Sequence, residues 1–276
     1  MDCCALLSTE VCEMAVDTYI EKAQTRVRSE QEAIEEKVDA YETFVRRVAK
    51  LQTDRSPASV ADMTTAVGAT HLSTDASSTD RCRMVQAAFA KTIRPHSVDD
   101  IDDSESVLDT IRAEFTDAIA VALAPTTDTS FTPELKKMIL AEARSRRSEA
   151  TALRKTLGRE SAQPADAAEE VDGIIAWLFD ANEAALADLG FGALQRRHET
   201  LASHRDRCEE LARERQAFLE GTTNDGIDVG VRHRSVLPYL YQDFPVDHPV
   251  LATAAKLDQT CRECQRAVRD HLVRRA

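Results

Sequence analysis

Two cysteines near the end of the chain, Cys261 and Cys264, have the spacing of a CxxC motif. Thiolates at this spacing can share a zinc ion or form a redox-active pair. A structural zinc site needs four ligands, and the sequence offers no second cysteine pair at metal spacing, although His271 follows Cys264 by seven residues. We therefore interpret both cysteines as small buried side chains of a helix. A metal or redox site at Cys261 and Cys264 is the alternative.

A second stretch, 198–202, is close to the helix motif of zinc proteases, which places two histidines four residues apart. His198 is present, but Ala202 stands where the second histidine should be. His204 lies about 240° around a helix from His198 and cannot replace it. The acidic run 99–103 lacks the glycine and the distal glutamate of an EF-hand, and no GxGxxG, Walker or GxSxG motif occurs. The sequence predicts no enzymatic activity, no cofactor and no metal.

Three aromatic residues, Tyr239, Tyr241 and Phe244, fall within six positions of a chain that is only 5% aromatic. An exposed aromatic cluster is costly unless something covers it. The first interpretation is that the segment closes one end of a helical bundle. The second is that it binds a protein partner, because buried aromatic anchors dominate such interfaces.

Apolar residues recur every seven positions near the start of the chain, at Ile20, Val27, Ile34, Tyr41 and Val48. A sustained seven-residue repeat keeps two helices facing each other. We predict that this stripe binds a partner helix, with self-association as the simplest case. A second stripe near the other end has the same character; it comprises Val250, Ala254, Leu257, Cys261, Cys264, Val268 and Leu272.

Composition favours helices throughout. Eight glycines and eight prolines in 276 residues are few for a fold made of many short strands. The predicted fold class is all-α, an elongated helical bundle or antiparallel coiled-coil hairpin with a long N-terminal helix. We predict a long amphipathic helix over residues 1–52, a flexible linker over 53–80, and a bundle over 81–276. The bundle is built on a hairpin at 133–220 with a C-terminal helix beside it.

Several element boundaries can be predicted from capping and helix-breaking residues. Ser8 or Thr9 is the expected start of the first helix. Thr132, followed by Pro133 and an acid, predicts the start of the hairpin. Gly158 and Pro164 should kink or interrupt its first helix. Ahead of the hairpin, residues 81–93 should form a short helix, and Ser104 should cap a single helix that ends at Pro125.

Charge predicts the solvent in which the protein works. The formal net charge is −13, and only eight of the 35 basic residues are lysine. Carboxylates at this density repel one another unless salt screens them, so the composition favours a halophilic host. Seven cysteines, an odd number, indicate a reducing cytoplasm rather than a disulfide framework. The first residues lack the pattern of an export signal, and the longest apolar run, 118–124, is too short to cross a membrane.

Two stretches of the chain resemble the signature segments of an uncharacterised, all-helical protein family of haloarchaea. They are Ser130–Lys136, and Tyr239–Val246 followed by Pro249–Ala252. The resemblance implies a helical fold and a salt-loving host, but no activity and no site residues. The chain departs from the family at Gly158 and Pro164, where members have an unbroken helix.

The sequence therefore predicts a non-catalytic helical scaffold or protein–protein interaction protein, without a membrane segment or a small-molecule substrate. One alternative is a nucleic-acid-associated regulatory protein that uses Arg232, Arg234, Arg274 and Arg275. The general charge balance disfavours it, because basic groups elsewhere are interleaved with acids, as on a solvated helix face.

Overall fold

The computed structural model of the protein describes residues 18–54, 78–97, 106–127, 129–221 and 233–275, and regular structure in these ranges is entirely helical. The α-helices are α1 (Tyr19–Lys50), α2 (Ser78–Thr92), α3 (Val107–Glu114), α4 (Asp117–Leu123), α5 (Pro133–Asn182), α6 (Phe191–Gly221), α7 (His233–Leu240) and α8 (Pro249–Arg275). A 3-10 turn, Arg94–His96, follows α2. The predicted all-α bundle with a long N-terminal helix is confirmed.

Helix α1 is shorter than predicted. Thr18 is not helical, so no unbroken helix runs back to Thr9; the predicted start itself lies outside the described residues. The helix ends at Lys50, where Lys136 donates hydrogen bonds from Nζ to the carbonyl oxygens of Ala49 (2.8 Å) and Leu51 (2.7 Å). These bonds satisfy carbonyls that the end of a helix leaves without partners. Most of the predicted linker, residues 55–77, also lies outside the described residues.

The single helix predicted ahead of Pro125 is wrong, because the chain forms two helices there. The side chain of Ser106 accepts a hydrogen bond from the Asp109 amide and caps α3. The Thr116 hydroxyl accepts one from the Ile119 amide at 3.3 Å and caps α4. An N-cap residue has extended backbone, so Thr116 ends any continuous helix at that point.

Helix α5 is unbroken from Pro133 to Asn182, so the predicted interruption at Gly158 and Pro164 is wrong. Leu157 and Ala167, on either side of these residues, are both buried. Tertiary packing of an apolar face can outweigh the roughly 3 kcal/mol by which a helical proline is disfavoured. The Pro164 carbonyl also accepts a hydrogen bond from the Gln24 amide group at 3.1 Å.

The chain divides into two compact units. Unit 1 comprises Met1–Gln31 and Lys155–Ala276, and unit 2 comprises Glu32–Arg154. Both boundaries fall inside a long helix, α1 or α5. The division of the chain at residues 52 and 80 stays a prediction.

The core of unit 2 centres on aromatic rings from two helices, α1 and α2, and from the residue after α3. The Phe115 ring lies 5.6 Å from that of Phe44, 5.5 Å from that of Phe89 and 6.4 Å from that of Tyr41, measured between centroids. All four residues are buried. The tilted and edge-to-face arrangements match the preferred geometries of aromatic pairs.

Glu114 lies at the edge of this core and binds two donors. It accepts hydrogen bonds from the Tyr41 hydroxyl at 2.5 Å and from Lys37 Nζ at 2.9 Å. Burial acts to raise the pKa of Glu114, but these donors outweigh it and hold the pKa below its ordinary value. The same burial and the Glu114 carboxylate raise the pKa of Tyr41.

We expect the variant Glu114→Gln to lower the free energy of unfolding at pH 7 by about 1.5–3 kcal/mol, the usual contribution of a hydrogen bond to a charged group. Because the folded-state pKa is depressed, this contribution is present above the pKa of an unfolded glutamate and is lost as pH falls through the folded-state value. Urea unfolding between pH 7 and pH 3 should show the two proteins converging in acid. A difference that stays constant over this range would contradict the assignment.

Unit 1 is built from the second half of α5 with α6 and α8. Three contacts fix an antiparallel α5–α6 hairpin: Arg215 binds Glu160, Arg207 binds Glu170 at 2.7 Å, and the rings of Trp177 and His204 lie 4.8 Å apart. Helix α8 packs along α6, where Arg205 binds Asp258 at 3.0 Å. The predicted C-terminal stripe is the buried face of α8, except that Cys264 and Leu272 are half-buried.

Candidate partner-binding groove

The predicted aromatic segment begins in the last turn of α7 and continues into a tight turn. The Phe244 amide donates to the Tyr241 carbonyl at 3.0 Å, and the two rings meet edge to face at 5.3 Å. Tyr241 is 2% exposed, Phe244 is half-buried and Tyr239 is 49% exposed. The three residues therefore differ in exposure: Tyr241 is buried within unit 1, whereas the ring of Tyr239 lies partly on the surface.

Tyr241 is fixed by a buried ion pair. Its hydroxyl donates to Glu160 at 2.7 Å, and Arg215 binds both oxygens of the same carboxylate at 2.7 and 3.0 Å. Glu160 is completely buried and Arg215 is 2% exposed. Burial and the neighbouring carboxylate raise the pKa of Tyr241, so its hydroxyl stays a donor at neutral pH. The network thereby fixes the start of the turn that carries Phe244.

Tyr239 is held from the side of α1. Its hydroxyl donates to a Glu30 carboxylate oxygen at 3.1 Å, and the Arg26 guanidinium lies 5.8 Å from its ring centroid. Arg26 also pairs with Glu30 at 3.1 Å. A cation over an aromatic face and a hydrogen bond to the phenol restrict the ring together. Tyr239 is thus exposed but preorganised.

Between α1 and the turn lies an open groove of about 750 Å³, which we call the α1–turn groove. On the α1 side, most of the lining residues are three or four positions apart and so lie on one face of the helix; the others are at adjacent positions. Its other side is formed by the turn. The residues that line it are Tyr19, Glu21, Lys22, Thr25, Arg26 and Ser29 on α1, and Asp243, Phe244 and Pro245 on the turn.

The predicted seven-residue stripe of α1 does not line this groove. Ile20, Val27, Tyr41 and Val48 are at most 2% exposed, and Ile34 is half-buried. Their burial is achieved within the chain itself, Ile20 in the core of unit 1 and Tyr41 and Val48 in that of unit 2. A single chain does not test self-association, but it accounts for the stripe without a partner.

The CxxC cysteines lie on α8. Cys261 is completely buried and Cys264 is half-buried. Burial raises the pKa of the Cys261 thiol to about 12 and that of nearby Cys208, on α6, to about 11. Among the residues that the structure describes, no three His, Cys, Asp or Glu side chains are grouped to hold a metal ion. Protonated thiols are poor ligands and poor nucleophiles.

We expect iodoacetamide to alkylate Cys264 in the native protein. Cys208 and Cys261 should react at least about a hundredfold more slowly, because their thiolate fractions are small and their sulfurs are buried. Peptide mass spectrometry after timed labelling at pH 8 measures each rate. In urea, all three cysteines should react alike. Equal native rates for Cys261 and Cys264 would instead favour the redox alternative.

Of the four basic residues in the nucleic-acid alternative, the structure describes the side chains of Arg274 and Arg275. Arg275 donates hydrogen bonds to the carbonyl oxygens of Ala187 and Leu189, and so it fastens the end of α8 to the turn before α6. Arg274 is exposed. Arg232 and the side chain of Arg234 lie outside the described residues. Of the other histidine candidates, His204 makes a tilted ring contact with Trp177, and burial lowers the pKa of His204.

Comparisons with known proteins identify a family but assign no activity. The profile of a family described as a domain of unknown function, DUF7260, matches residues 18–265. No curated protein and no solved structure matches the chain. Within the described residues, no helix combines the length and the apolar character needed to span a bilayer.

Proposed function

The chain belongs to the DUF7260 family, and we propose that it is a non-catalytic helical interaction protein whose partner docks in the α1–turn groove. The observation that carries this proposal is Tyr239, which lies beside the groove and is half exposed, yet is held in place by Glu30 and by Arg26, a residue that lines the groove. Preorganised aromatic side chains lose little entropy on binding and are enriched among the residues that dominate interface energies.

The charges of the groove favour a protein segment over a nucleic acid. Its lining carries two cations, Lys22 and Arg26, and two anions, Glu21 and Asp243. A phosphate backbone requires a net basic surface, which this lining does not provide. A peptide chain suits it better, because backbone amides and carbonyls find both acceptors and donors there while an apolar side chain packs on Phe244 and Pro245.

Site-specific photo-crosslinking tests this role. Benzoylphenylalanine in place of Tyr239, in cells that produce the protein, should yield crosslinks to a defined protein segment. The same group in place of Phe191, an exposed aromatic at the start of α6, is the matched control. Asp243→Ala, which alters the far wall of the groove, should reduce the crosslinking at position 239 several-fold.

Two results would overturn the proposal. One is the same set of crosslinked proteins from positions 239 and 191, because it would mean that the reaction reports exposure only. The other is crosslinking at position 239 that Asp243→Ala leaves unchanged. If the crosslinked segment comes from a second copy of the chain, light scattering should give a dimer mass, and the partner is then the chain itself.

We also propose a cytoplasmic setting in a salt-loving host, supported by the net charge of −13 and the shortage of lysine. Raising KCl from 0.1 M toward 1 M shortens the Debye length from about 10 Å to about 3 Å. The urea midpoint of unfolding should therefore rise with KCl. An equal osmolality of sucrose controls for general exclusion effects, and a midpoint that KCl leaves unchanged or lowers would contradict the proposal.

A further inference from the structure

A second cavity of unit 1 lies beside the buried Glu160–Arg215 pair and takes no part in the groove described above. Arg215 lines it together with Gln163, Asp166, Leu211, Glu214 and Phe218. Its volume is about 270 Å³, below the roughly 300–1,000 Å³ of pockets that hold drug-sized ligands. We call it the Arg215 pocket. Its size limits a ligand to about that of a monosaccharide.

The pocket contains a buried donor that no described residue satisfies. Both terminal nitrogens of Arg215 are bonded to Glu160, but its Nε, which is buried, has no hydrogen-bond partner among the described residues. A buried guanidinium N–H can only donate. Buried donors are nearly always paired with protein, water or ligand, so this Nε requires an acceptor beyond the residues that the structure describes.

The rest of the lining offers mainly acceptors and an apolar wall. Asp166 and Glu214 are exposed side chains whose carboxylates accept hydrogen bonds. The Gln163 amide can both donate and accept. Leu211 supplies apolar surface, and Phe218 places its ring 5.3 Å from the Arg215 guanidinium. A ligand must therefore accept a hydrogen bond at the buried end of the pocket and donate hydrogen bonds to the exposed carboxylates. Between these two ends, an apolar face of the ligand must pack on Leu211 and Phe218.

Charge excludes the two simplest ionic ligands. The other arginine of the lining, Arg207, is already bonded to Glu170 at 2.7 Å and Glu210 at 2.6 Å. An anion would find no uncommitted positive charge there and would face the Asp166 and Glu214 carboxylates. A simple ammonium ion would suit those carboxylates but has no acceptor for Arg215 Nε.

We infer that the Arg215 pocket binds a small neutral polyol or monosaccharide. One hydroxyl oxygen accepts from Arg215 Nε, further hydroxyls donate to Asp166 and Glu214, and the C–H face packs on Leu211 and Phe218. The hydroxyl is the group that meets both demands, because it accepts through its lone pairs and donates through its proton. The inference is independent of the partner proposed for the α1–turn groove.

The test is NMR titration of the full chain with glycerol, myo-inositol and D-glucose as probes, at concentrations too low for general osmolyte effects. Saturation-transfer signals should saturate for at least one probe, and the Nε–H resonance of Arg215 should shift in step with them. The double variant Asp166→Asn/Glu214→Gln should weaken binding about tenfold. Asp172→Asn, an exposed acid of α5 outside the pocket, should leave binding unchanged.

Each remaining outcome overturns the inference. Failure of all three probes to saturate would leave water as the partner of Arg215 Nε. Saturation without a shift of the Nε–H resonance would place the ligand elsewhere. Binding of acetate, inorganic phosphate or methylammonium in preference to the polyols would contradict the proposed ligand class, and equal weakening by Asp172→Asn would point to a non-specific charge effect.

Discussion

The variant Glu160→Ala is expected to lower the free energy of unfolding by about 3–5 kcal/mol, the usual cost of removing one partner of a buried ion pair. Arg215 would keep a full charge in a site from which water is excluded, since a guanidinium does not lose its proton in proteins. Tyr241 would lose its acceptor in the same step. Urea unfolding followed by far-UV circular dichroism measures the difference.

A paired replacement separates the cost of a stranded charge from the net contribution of the ion pair. The double variant Glu160→Met/Arg215→Met removes both charges and keeps the volume similar, so it should recover most of the loss. An exposed pair, Arg112 with Asp109, provides the control; Asp109→Ala should shift the urea midpoint far less than Glu160→Ala does. If Glu160→Ala lowers the stability no more than Asp109→Ala does, water must reach Arg215 in the folded protein.

The variant Phe115→Ala should destabilise unit 2 by about 3–5 kcal/mol, as is typical of phenylalanine truncation in a packed core. Phe115 contacts the rings of Tyr41, Phe44 and Phe89, so its removal opens a cavity that none of these rings can fill without leaving its own contacts. The residue also lies between α3 and α4, where little regular backbone structure is available to compensate.

Native-state hydrogen exchange locates this effect. Amides of unit 2 helices such as α2 should lose protection in Phe115→Ala. Phe191→Ala, which truncates a phenylalanine that is 52% exposed, should change stability by no more than about 0.5 kcal/mol. Equal losses of stability in the two variants would show that the aromatic cluster is not a specifically packed core.

The sequence predicts the helices whose starts are marked by neighbouring residues, such as a capping side chain or a proline. Thr132 and Pro133 mark the start of α5, and Thr132 does accept a hydrogen bond from the Leu135 amide at 3.2 Å. Pro249 likewise opens α8. The sequence does not predict Thr116 as a cap, because apolar residues continue with the spacing of one helix on both sides of it. Pro164 was read as a helix breaker, but the packing that overrides it comes from residues distant in sequence.

Among the residues of the candidate sites, too, some can be predicted from the sequence and others cannot. The cluster Tyr239, Tyr241 and Phe244 stands out in a chain poor in aromatic residues, so composition alone drew attention to it. Lys22 and Arg26 of the α1–turn groove were missed, because polar residues on a helix resemble any solvated face. Arg215 and Glu160 are 55 residues apart, and nothing in the sequence distinguishes them from exposed charges.

The indole ring of Trp177, which lies against the imidazole of His204, gives one of the two units a fluorophore that the other lacks. Trp177 is the single tryptophan of the chain and belongs to unit 1, whereas the aromatic emitter of unit 2 is Tyr41. Emission excited selectively from the indole therefore reports on the surroundings of Trp177 in the α5–α6 hairpin, including protonation of the neighbouring His204 imidazole. Tyrosine emission combines Tyr41 with the three tyrosines of unit 1, so in an unlabelled sample the indole signal is the one that belongs to a single unit.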